Sequence, residues 1–123
     1  MTGDGYISFK DMCARFDVTP RTLRYYEYIE LLSPKKTGRA RFYGPREIAR
    51  MKLILRGRRF GFSLEDIRQW LEMYGKNGSQ QQFLYFIEIA DQQLMAMDKQ
   101  IDELVAARAD LKKLRDETAS LLE

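Results

Sequence analysis

The 123-residue chain contains no histidine and a single cysteine, Cys13. Without imidazole there is no Ser-His or Cys-His nucleophile pair, no imidazole general base and no zinc site of the common His type. One thiol cannot close an intramolecular disulfide or build a multi-thiolate metal site, and it fits a reducing compartment such as the cytoplasm. No acid/base constellation stands out, so neither an enzyme nor a cofactor is expected. No apolar run approaches the roughly 20 residues of a membrane span. Met1 to Tyr6 lack the charged, then apolar, pattern of a signal peptide. The length suits one domain and a tail.

Charge is unevenly spread. Residues 1–74 hold 15 Lys/Arg against 9 Asp/Glu, a net +6, and residues 75–123 hold 6 against 9, a net −3. The stretch Lys35 to Arg59 carries ten basic residues and one acid, Glu47. A basic front suits a polyanionic partner.

Five segments precede a long tail. Ile7, Met12 and Phe16 repeat at helical spacing, and Ser8 stands three residues before Asp11 as a cap, so a short helix is expected over Ser8 to Phe16. Cys13 falls on its apolar face and reads as core. Thr19-Pro20 opens a second helix, with Thr as N-cap and Pro at the first helical position. Leu23 and Tyr26 lie toward its core side, and Arg21, Arg24 and Tyr25 point outward. Two short helices with a tight link make a helix-turn-helix candidate. Ser33 to Tyr43 reads as a basic β-hairpin, a wing, with its turn at Lys35 to Arg39. A third helix follows Gly44-Pro45, with the stripe Ile48, Met51, Ile54 and Leu55, solvated arginines on its other faces, and a stop at Gly61. The fourth opens at Ser63 and buries Leu64, Ile67, Trp70 and Leu71.

Lys76 to Ser79 reads as a linker, which sets a domain over 1–75 apart from a helix over 80–123. That helix is roughly 60 Å long at ~1.5 Å per residue. Ile87, Ala90, Leu94, Met97, Ile101, Leu104, Arg108 and Leu111 alternate three and four apart, a heptad seam that a second copy would cover. The heptads allow parallel or antiparallel pairing. Trp70, Tyr74, Phe83 and Phe86 are candidates for an apolar effector pocket, although interface core accounts for them more simply. The expected architecture is mostly α with a small β-wing: a winged helix-turn-helix domain and a coiled-coil dimerisation helix.

Thr19-Pro20-Arg21-Thr22-Leu23-Arg24-Tyr25-Tyr26-Glu27 resembles the recognition helix of the MerR family of bacterial transcription regulators. Arg41-Phe42-Tyr43 is similar to that family's wing motif, and Phe60 to Ile67 to its helix-turn-helix continuation. The resemblance covers residues 6 to about 74, with the elements in the family's order. It implies a homodimer joined by an antiparallel coiled coil on a palindromic promoter site. It also implies control by DNA deformation near RNA polymerase. Thr19, Pro20, Arg21, Arg24 and Tyr25 are expected at the groove; Arg21 and Arg24 suit guanine edges or phosphates. Arg41 and Tyr43 are expected at flanking phosphates, and Arg58 and Arg59 as a second backbone grip.

Three departures are visible. Glu30 stands where the family usually has Gly, and Ala40 where an aromatic residue is common. Gln80, Gln81, Gln82 and Phe83 stand where the metal-sensing members place cysteine near the dimer helix, so sensing by that route is not expected. The large ligand domain of drug-sensing members is likewise not expected. The residues name no effector. A different reading makes the chain a protein-interaction module whose basic patch binds nucleic acid without sequence preference.

Overall fold

The computed structural model describes residues 5–73 and 78–122. The chain divides into two compact units, Met1–Gln82 and Phe83–Glu123. The first holds a short strand β1 (Ile7–Ser8), helices α1 (Phe9–Phe16) and α2 (Pro20–Tyr28), and strands β2 (Lys35–Thr37) and β3 (Ala40–Tyr43). Helices α3 (Pro45–Phe60) and α4 (Leu64–Met73) follow, and then α5 (Gln80–Ser120).

Helices α1, α2, α4 and α5 start where a side-chain cap satisfies orphan backbone donors, whereas α3 opens at Gly44-Pro45 without one. Ser8 Oγ accepts from Asp11 N at 3.1 Å, Thr19 Oγ1 from Thr22 N at 3.1 Å, and Ser63 Oγ from Asp66 N at 3.1 Å. The long helix has a reciprocal capping box: Gln82 N donates to Ser79 Oγ at 3.1 Å, and Ser79 N donates to Gln82 Oε1 at 2.9 Å. Stops are equally local. Asp17 closes α1 at a φ of 52°, which Asp tolerates, and Gly61 closes α3 at a φ of 86°.

The sheet has the order β1-β3-β2, antiparallel throughout. Ile7 lies opposite Tyr43, and Lys35 opposite Phe42. The wing turns at Gly38-Arg39, where Gly38 takes a φ of 61° that suits a tight hairpin turn. Sequence reading placed Ile7 and Ser8 on or beside a helix. Two residues are too few for strand alternation to show, and their pairing with β3 decides the matter.

The core of this unit gathers Met12, Leu23, Leu31, Leu32, Tyr43, Met51, Ile54 and Ile67, each nearly or fully enclosed. Helix α3 crosses α4 at Gly57, where an added Cβ would sit 2.7 Å from Ile67 Cγ1 and 3.2 Å from Trp70 Cζ3. Trp70 is buried with Phe60 and Phe62 at ring-centroid distances of 6.2 and 6.3 Å. It therefore packs in the core of the first unit, which accounts for it without an effector pocket. Tyr74, from the same expected pocket, lies outside the described residues, as do Lys76 and Asn77 of the expected linker.

The arginines of α3 are not all simply solvated. Arg50 Nε donates to Leu31 O at 2.9 Å, and its pKa is lowered, first by burial and then by Arg46. Arg68 of α4 donates to Ile29 O. These two side chains hold the backbone that leaves α2. Glu47 is buried, accepts from Ser33 N at 3.1 Å and pairs with Arg46 at 2.8 Å.

The long helix α5 has no buried residue. Along the expected seam, Ile87 is 52% exposed and Leu104 is 71% exposed. Leu94, Ile101 and Leu111 are also exposed, while Ala90 and Met97 are half-buried. No helix among the described residues is long and apolar enough to cross a membrane.

Candidate nucleic-acid interface

The outer face of α2 follows from the 3.6-residue period. Leu23 and Tyr26 turn inward, so Arg21, Arg24, Tyr25 and Tyr28 share the opposite side, and all four are exposed. Together with Thr22, Tyr26, Arg58 and Leu64, they line one open groove. The structure thus brings Arg58, from the last turn of α3, to the recognition helix. Arg59 is exposed in that same turn but does not line the groove.

Several expected contacts are redirected. The Thr19 hydroxyl caps α2 and donates to Thr22 Oγ1 at 2.9 Å. Pro20 is exposed at the first position of α2, next to the groove residue Arg21, and does not itself line the groove. Tyr43 is fully buried and its hydroxyl has no hydrogen-bond partner among the described residues. Burial, and secondly Glu27, push its pKa upward. A side chain enclosed in the core does not reach phosphates, so Tyr43 is corrected from contact to core residue. Its outward neighbours Lys35, Arg39 and Ala40 form the exposed wing.

Arg41 is half-buried, and its Nε lies 2.8 Å from Glu27 Oε2. Neither atom completes a hydrogen bond of good direction, so the contact is one of charge. Lys36 Nζ reaches the other oxygen of Glu27 at 3.0 Å. The Arg24 and Arg41 guanidinium carbons lie 5.6 and 5.9 Å from the centroid of the Phe9 ring. Such cation–π contacts hold long side chains over a fixed platform. Cys13 is half-buried, and burial raises its pKa against the opposing charge of Arg24, which disfavours the reactive thiolate.

Sequence reasoning missed Tyr28 and Thr22. The signal for Tyr28 was its spacing: it is seven residues after Arg21 and four after Arg24, on one helical face. It also missed the Glu27 pairs, because an acid inside a basic segment says nothing of which cation it meets.

A short helix pair backed by a three-stranded sheet, with a basic groove on its second helix, defines a winged helix-turn-helix protein. The family comparisons agree. The model described as MerR HTH family regulatory protein matches residues 7–74, and the one described as MerR, DNA binding, matches residues 48–114. The chain belongs to the MerR family of helix-turn-helix transcriptional regulators. It is 32% identical over 101 residues to the HTH-type transcriptional regulator HmrR of Rhizobium leguminosarum, covering 81% of this chain and 77% of that protein. It is 32% identical over 104 residues to the ZntR homolog of Haemophilus influenzae, covering 83% and 76%. In fold it is similar to a MerR family regulator from Bacillus cereus, with a TM-score of 0.67, 24% identity, and 88% of this chain and 81% of that one covered. It is also similar in fold to HiNmlR, a MerR family regulator lacking the sensor domain and bound to promoter DNA, with a TM-score of 0.60, 19% identity and 80% and 75% coverage.

Proposed function

We propose that the chain binds duplex promoter DNA as a homodimer and controls transcription by changing the conformation of that DNA. The observation that carries this reading is the exposed face Arg21, Arg24, Tyr25 and Tyr28 of α2, sharing one groove with Arg58. Arginine forks reach guanine edges in a major groove, and hydroxyls and further cations meet the flanking phosphates. Arg59 and the wing residues Lys35 and Arg39 extend the basic surface.

The dimer reading rests on α5. Its apolar seam of Ile87, Ala90, Leu94, Met97, Ile101, Leu104 and Leu111 is left largely open to solvent. A second copy is the natural cover, and the family resemblance favours the antiparallel arrangement. Two recognition helices related by a two-fold axis call for a two-fold symmetric site. Bending or untwisting the DNA between half-sites costs energy that depends on its sequence, and this gives control next to RNA polymerase. The place of action is the cytoplasm. Phe83 and Phe86 remain candidates for an effector contact on α5.

The test is competition binding with duplexes recovered from a random pool. The expected result is a two-fold symmetric sequence bound at least a hundredfold more tightly than scrambled competitor at fixed salt. Equal binding to every duplex would support the reading as a non-specific interaction module.

A further inference from the structure

Two wing cations are engaged before any nucleic acid arrives. Glu27 lies on α2, one turn beyond Arg24, and its two oxygens meet Lys36 at 3.0 Å and Arg41 at 2.8 Å. The Glu27 side chain is 14% exposed, against 59% for Lys36 and 32% for Arg41. Arg41 is held a second time by the Phe9 ring, which also carries Arg24. The recognition helix and both strands of the wing therefore meet at one carboxylate. The three charged groups sum to +1, where the two cations alone would present +2.

That arrangement matters for a protein that must ignore most DNA. Contacts to phosphate supply affinity without sequence information, and each added cation strengthens binding to every duplex alike. A carboxylate beside the contact surface repels phosphate and lowers this indiscriminate term. The same carboxylate fixes where the wing stands relative to α2.

We propose that Glu27 is a specificity-determining residue: it clasps the wing to the recognition helix and withholds the charge of Lys36 and Arg41 from non-cognate DNA. The proposal rests on the DNA-binding reading above, and its test separates the two. The whole chain, wild type and Glu27→Gln, is titrated with its selected duplex and with a scrambled duplex from low to high salt, and each protein's thermal melt is recorded. On scrambled DNA, the variant is expected to steepen the log K against log[salt] slope by ~0.9, about an eightfold gain at 0.1 M salt relative to 1 M. The selected duplex gains less, so the preference falls several-fold. The double variant Glu27→Gln with Lys36→Ala restores the net charge. It is expected to return the slope to the wild-type value while the preference stays low, because the clasp is still open.

An unchanged slope on scrambled DNA, or an equal gain on both duplexes, overturns the proposal. A lower melting point with weaker binding to both duplexes assigns Glu27 a purely structural role and also overturns it. Should the Gln variant fail to fold, Glu27→Asp keeps the charge with a shorter reach. It is expected to hold the wild-type slope while losing preference, and a steeper slope there is contrary to the proposal. If the wild-type chain itself prefers no duplex, the failure lies with the DNA-binding reading.

Discussion

Replacing Arg24 by alanine separates binding from stability, because the side chain rests on the Phe9 ring and otherwise presents a wide external surface. It is exposed, lines the groove with Arg21, Tyr25 and Arg58, and rests 5.6 Å from the Phe9 ring centroid. Losing an exposed cation–π contact costs about 0.5–1 kcal/mol. In a domain of this size 1 kcal/mol corresponds to a melting shift of roughly 4–8 °C, which sets the upper limit for the variant. Losing a bidentate base contact costs about 1–3 kcal/mol of discrimination, or roughly 5- to 150-fold in affinity for the selected duplex. If Arg24 meets phosphate instead, affinity falls on all duplexes and the salt slope flattens by ~0.9. Fluorescence anisotropy with labelled selected and scrambled duplexes, read at several salt concentrations, distinguishes the two. Unchanged affinity for both duplexes at fixed salt, with a native melting curve, would refute the placement of α2 at the DNA.

Three further substitutions probe the scaffold. Gly57→Ala gains about 1 kcal/mol of helix propensity but forces a Cβ to 2.7 Å from Ile67 Cγ1. Overpacking costs about 1–3 kcal/mol, so the expected outcome is a lower melting temperature, and a higher one would contradict the close α3–α4 crossing. Glu30→Gly relieves a left-handed φ of 65° after α2. The strain of about 1–2 kcal/mol outweighs the unfolded-state freedom of Gly, about 0.4–1 kcal/mol, so a rise in the urea midpoint is expected. Leu104→Asp places a charge on the 71% exposed seam residue of α5. Analytical ultracentrifugation is expected to show a dimer for the wild type and a monomer for the variant, and an unshifted dimer would move the seam elsewhere.

Much of the fold was legible because its signals are local. Thr19-Pro20, Ser63 and Gly61 act within a few residues: the first two start helices α2 and α4, and Gly61 ends α3. Arg21, Arg24 and Tyr25 were readable as an outer face because helical period alone assigns them opposite Leu23. The positive φ at Glu30 falls where the family pattern has Gly, so even that departure was visible as a position of interest. What escaped depends on residues distant in sequence. Strand β1 exists through its pairing with Tyr43 and Phe42. The burial of Tyr43, and the attachment of Arg50 and Arg68 to carbonyls of Leu31 and Ile29, follow from packing between elements. Arg41 reads as a free cation until Glu27 is found beside it.

The most direct test of the account is selection of bound fragments from genomic DNA by the purified chain, followed by sequencing and footprinting. Enrichment of a two-fold symmetric site, with half-sites one helical turn (~34–36 Å) or a multiple apart and protection on the faces that two α2 helices reach, is the predicted result. Recovery of fragments in proportion to their abundance, with no shared sequence and no footprint, would contradict it.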